Sequence, residues 1–98
     1  MKALMKEPGK APRQLEINNS LNTMQVLVGG YIEHLSFCVP GVGLIMNEEG
    51  KIKDLPLNFF YCGDAIRGTV LFVGDSSEEF SALTDEQVNE IRMVLDED

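Results

Sequence analysis

Among residue types able to do chemistry, the chain offers one histidine, two cysteines, an adjacent pair of glycines and three consecutive aromatics. The glycine pair, Gly29-Gly30, comes first, because amides freed by glycines can cradle a phosphate. A dinucleotide fingerprint runs strand, glycines, helix, so that a helix N-terminus meets the anion. Here the order is inverted. Leu21, Met24, Leu27 and Val28 recur at helical spacing before the glycines, and an alternating stretch follows them. Glycines at a helix C-terminus meet carbonyl oxygens and partial negative charge, so the pair is read as a hinge. Pro40-Gly41-Val42-Gly43 is likewise a turn entering a strand.

His34 would need Glu33, Cys38, Cys62 or Asp64 beside it to hold a metal. On one strand His34 and Cys38 share a face but stand about 13 Å apart, too far for a single ion. A Cys62–His34 nucleophilic pair requires the segment around Cys62 to fold over the His34 strand, and Cys62-Gly63-Asp64 is not diagnostic by itself. Glu48 and Glu49 adjoin at a turn tip. Asp54 and Asp64 have no second carboxylate at a predictable distance for acid–base work. No catalytic residue, metal site or cofactor is assigned, and the chain is expected to be non-enzymatic.

Phe59-Phe60-Tyr61 depart most from the ordinary. Strand alternation would bury at least one of them, and the others are free for a pocket or a subunit contact. Lys51, Lys53 and Arg67 place positive charge beside the aromatics. Aromatic plus base is what stacking on a nucleobase and holding a phosphate require. The expected ligand-binding set is therefore Lys51, Lys53, Asn58, Phe59, Phe60, Tyr61 and Arg67.

The elements that must position these residues begin with a hairpin, Lys2–Lys6 and Arg13–Ile17, around a turn at Glu7-Pro8-Gly9-Lys10. Asn18-Asn19-Ser20 offers the cap of a short helix whose apolar stripe is Leu21, Met24, Leu27 and Val28, and Gly29 ends it. Residues 31–38 alternate as a strand, and Val42–Met46 form the next. Asn47-Glu48-Glu49-Gly50 is expected to reverse the chain with Gly50 left-handed, so that residues 51–53 pair back as a further strand. Residues 55–64 look irregular, a loop with apolar side chains. GTVLFVG, residues 68–74, is apolar enough to be a central strand buried on both faces. Residues 75–81 form an acidic linker. Thr84 and Gln87 then make a capping box, with Leu83 stapled to Val88, for a terminal helix of about 85–95 whose inward stripe is Val88, Ile91 and Val94 or Leu95. Asp96, Glu97 and Asp98 at its end oppose the helix dipole and should fray it. The fold class is α+β, strand-strand-helix, four strands, helix, with a mostly antiparallel sheet and two helices packed on it.

A chain of 98 residues makes a single domain, 1–98, of modest core, for which assembly into a homo-oligomer is an easy gain. No run approaches a membrane span and the N-terminus lacks the apolar core of a signal peptide, so a cytoplasmic protein is expected. Two thiols without an export signal are read as reduced and packed. The net charge of −8 is uneven. Lys2, Lys6, Lys10 and Arg13 outweigh Glu7 at the start, whereas residues 75–98 carry nine acids against Arg92 alone. Such a tail repels polyanions, which argues against direct nucleic-acid binding.

EPGK at residue 7, VGGYIE at 28–33, NEEGK at 47–51, LPLN at 55–58 and GT with FVG at 68–74 together resemble a family of small proteins. That family occurs in Gram-positive bacteria, their phages and mobile elements, and is known only as a domain of unknown function. Its members often continue LPLN with arginine, where Phe59 stands here. The resemblance implies an accessory or counter-defence factor. One version is a sponge that sequesters a small nucleotide-derived immune signal. The alternative is an antagonist that blocks a host defence protein through the acidic terminal helix, or a structural accessory protein.

Overall fold

The computed structural model describes residues 1–76 and 78–96. In chain order the elements are β1 (Lys2–Lys6), β2 (Arg13–Glu16), α1 (Leu21–Val28), β3 (Ile32–Ser36) and β4 (Val42–Asn47). They continue with β5 (Leu57–Tyr61), β6 (Asp64–Arg67), β7 (Val70–Ser76), β8 (Glu79–Ser81) and α2 (Asp85–Asp96). The main sheet runs β2-β1-β7-β4-β3, with β8 added to β7, and every pairing in it is antiparallel. The α+β class and the placement of the two helices are as expected.

Alternation along the central strands sorts the core into two layers. Leu4, Leu44, Met46, Val70 and Phe72 point to one face, where Leu83, Val88 and Ile91 of the terminal segment meet them with Phe59 and Ile66 of the β5–β6 hairpin. Ala3, Met5, Ile45, Leu71 and Val73 point to the other, under Met24 and Val28 of α1. β7 lies between β1 and β4, which is why its run Val70–Val73 is apolar at every position and fully buried.

Both helices begin as their residues dictate. The Ser20 hydroxyl accepts from the Thr23 amide at 3.2 Å. Thr84 and Gln87 cap one another, with N–H to side-chain oxygen distances of 3.0 and 3.1 Å. Leu83 and Val88 close the staple inside the core, Ile91 is fully buried beside them, and Val94 and Leu95 pack on the same cluster. Glu97 and Asp98, expected to fray the helix end, lie outside the described residues.

Five local expectations are corrected. Leu21 is exposed, because the eight-residue α1 turns only Met24 and Val28 fully inward. Residues 51–53 are not a strand. They form a helical turn closed by a Schellman pair, Leu55 N–H to Gly50 O at 2.9 Å and Asp54 N–H to Lys51 O at 3.2 Å. The left-handed residue of that turn is Asp54, at φ 51°, not Gly50. Gly50 is needed for another reason: a Cβ there would meet Arg67 O at 3.1 Å. The supposed loop at 55–64 holds β5 and the start of a second hairpin. Cys62 and Gly63, both at positive φ, join β5 to β6 as a type I′ turn does. The acidic linker contributes the end of β7 and all of β8, which pairs Asp75 with Phe80.

Candidate functional site

Gly29 takes the left-handed conformation at φ 82° that ends α1, and both its amide and that of Gly30 donate to Gln25 O, at 2.9 and 3.0 Å. No donor of the pair faces outward for an anion. The second glycine has a packing role, since a Cβ on Gly30 would lie 2.9 Å from Nδ2 of Asn47. Asn47 is buried. It donates to Val28 O at 3.3 Å and accepts from the Glu49 amide at 2.8 Å, tying helix end, strand end and turn together.

The expected ligand-binding set is divided by the fold. Phe59 is a core residue, its ring 6.3 Å from that of Phe72. Asn58 is fully engaged: it accepts from Lys6 Nζ at 2.8 Å and donates to Lys6 O and Gly68 O at 2.9 and 2.8 Å. Burial lowers the Lys6 ammonium below the ordinary lysine value. Tyr61 stacks on Phe37 at 4.9 Å between centroids and donates its hydroxyl to Ser36 O at 3.4 Å. Phe60, on the opposite side of β5, is exposed. Lys53 sits 4.0 Å from Glu49.

Lys51 and Arg67 do converge. Together with Asp64, Ala65 and Ile66 they wall one side of a cleft of about 130 Å³, and Glu33, Leu35, Met46, Asn47 and Glu48 of the main sheet wall the other. Its cations are already answered. Lys51 pairs with Asp64, whose carboxyl this bond holds below the usual range, and Arg67 reaches Leu55 O at 3.1 Å and Asp54 at 3.6 Å. Three carboxylates against two cations give the cleft no excess of positive charge for a phosphate.

One constellation escapes sequence reasoning. His34 Nε2 lies 2.7 Å from Asp75 Oδ2, reaching from β3 across β4 to β7. Gly43 of β4 makes the room, since a Cβ there would stand 3.0 Å from His34 Nε2. Phe80 packs edge-on against the imidazole at 5.0 Å. The signal would have been the strand order, which places His34 and Asp75 on either side of one strand. The pair links β3 to β7 across β4, a clasp over the sheet. No group of three His, Cys, Asp or Glu side chains converges on a common point among those residues. Cys38 and Cys62 are free, and both are exposed rather than packed.

The remaining surface with a distinct character is α2. Asp85, Glu86 and Asp96 are exposed on it, and Glu90 is half-exposed. Lys2 pairs with Asp85 and lowers its carboxyl, whereas Arg92 donates to Pro12 O at 3.0 Å. Met93 stands 63% exposed on the same helix. Among the described residues no helix is long and apolar enough to cross a membrane.

Compared with known proteins, residues 1–96 match the model of a domain of unknown function, DUF3846. No curated protein and no solved structure gives a match.

Proposed function

The chain belongs to the DUF3846 family, defined by a domain of unknown function, and on that premise we propose that it acts by binding, as an antagonist whose helix α2 covers a basic protein surface. The observation that carries this reading is the uncompensated charge of α2. Its single base, Arg92, is turned to a backbone carbonyl. The bases of the N-terminal hairpin are engaged elsewhere: Lys6 on Asn58, Lys10 and Arg13 on Glu7. The hairpin's remaining base, Lys2, reaches the helix at Asp85. Glu86, Glu90 and Asp96 are left to attract a partner, with Met93 as an apolar contact among them. A surface built to receive nucleic acid fits this face, because its lysines and arginines are set out for phosphates. Phage or mobile-element origin and a counter-defence role belong to the same proposal, with a host defence protein as the target.

Affinity isolation from cells expressing the tagged protein tests it. The wild type should hold a partner in low salt and release it as salt rises. A Glu86→Lys/Glu90→Lys variant with an unchanged unfolding midpoint should hold none. Capture that survives both the reversal and high salt refutes the reading.

Capture of a small nucleotide-derived signal is a second reading, supported by the convergence of Lys51 and Arg67 on one cleft. That cleft is well below the volume of about 300 Å³ at which small-molecule pockets begin. The site would therefore need a second copy of the chain to complete it. Calorimetric titration with cyclic and linear nucleotides decides this version; no heat with any of them removes it.

A further inference from the structure

We propose that Cys38 and Cys62 are a dithiol pair that closes reversibly to an intramolecular disulfide, stapling the tip of the β5–β6 hairpin to the loop after β3. They are the only two cysteines of the chain, both free and both exposed. Distant in sequence, they are brought together by the residues that precede them. Phe37 stacks on Tyr61 with ring centroids 4.9 Å apart, and the Tyr61 hydroxyl reaches Ser36 O at 3.4 Å. A cysteine follows each of the two stacked residues in sequence, Cys38 after Phe37 in the loop after β3 and Cys62 after Tyr61 in the hairpin turn, so both flank one aromatic contact. Cys62 is held there by the tight turn, at φ 52°. Tyr61 senses both: burial raises its ionisation above the ordinary tyrosine value, and the Cys38 and Cys62 sulfurs add to that rise.

A small disulfide such as oxidised glutathione is a sufficient oxidant. One cysteine thiolate attacks a glutathione sulfur, forming a mixed disulfide and expelling one glutathione thiolate. The second cysteine thiolate then attacks the protein sulfur of that mixed disulfide and expels the other. Two protein thiols are oxidised, one glutathione disulfide is reduced to two thiols, and the cysteine protons end on the glutathione. The pair is independent of partner binding through α2.

The test is to incubate the native full chain with oxidised glutathione, alkylate, and measure the intact mass and the peptide map. Expected are a loss of two hydrogens, no alkylation of either cysteine, a Cys38–Cys62 linked peptide, and an unfolding midpoint that rises and returns on reduction. Glutathione retained on the wild type, covalent dimers, or two thiols still alkylated would overturn the proposal. Cys38→Ser and Cys62→Ser, each folded by its reduced midpoint, should retain glutathione at the remaining cysteine. Failure of both to do so contradicts the exchange route.

Discussion

The adjacent residues Gly29 and Gly30 are glycine for different reasons, and substitutions should separate them. Alanine at 29 meets nothing but is forced to φ 82°, which costs about 1 kcal/mol. Asparagine, which tolerates that region, should restore most of the loss. Alanine at 30 presses on Asn47 and disturbs its two hydrogen bonds, so a loss of about 2–3 kcal/mol is expected. Urea denaturation of the three variants checks the order. Asp64 offers a pH test. The ammonium of Lys51 holds its carboxyl below the usual value. A carboxyl depressed by folding stabilises fully above its unfolded value, about 3.9, and loses that contribution as pH falls through the folded one. Asp64→Asn should therefore be slightly less stable than wild type near neutrality and converge with it in acid. The pair is exposed, so high salt should shrink the difference at every pH.

Elements whose signals are local were legible in the residues. Ser20 and Gly29 bound α1, Thr84 and Gln87 start α2, and the apolar run of β7 announced a central strand. Thr84→Ala should lower stability by about 1 kcal/mol and Thr84→Ser by much less, read by denaturant midpoint. The segment 51–67 was misread because its turns run against residue preference. Asp54 occupies a left-handed site that usually selects glycine, and Cys62 opens a type I′ turn where asparagine or aspartate is usual. A bulge between Leu57 and Phe59 further breaks the alternation that would have marked β5. Phe59 and Phe60, equal in sequence, are opposite in the fold. Phe59→Ala should cost about 3–5 kcal/mol in denaturant unfolding, and Phe60→Ala should stay within about 0.5 kcal/mol.

At the scale of the molecule, charge is distributed as the sequence suggested, acidic at the end and basic at the start. The fold adds that Lys10 and Arg13 of the basic hairpin pair with Glu7 and Lys6 with Asn58, so that of the hairpin's bases only Lys2 reaches α2, at Asp85. The cleft between hairpin and sheet was not legible, because it depends on the distance between β6 and the β3–β4 pair, and no residue spacing encodes that. The same holds for the His34–Asp75 clasp, which exists only once β3, β4 and β7 are side by side. Two acidic surfaces thus compete for a role: α2 with Glu86, Glu90 and Asp96, and the cleft rim with Glu33 and Glu48. Carboxyl footprinting of the isolated complex, by carbodiimide coupling and peptide mapping, distinguishes them directly. Protection of Glu86, Glu90 and Asp96 with Glu33 and Glu48 still labelled is the result expected of a protein that binds through its last helix. Protection at the cleft with α2 fully labelled would contradict it.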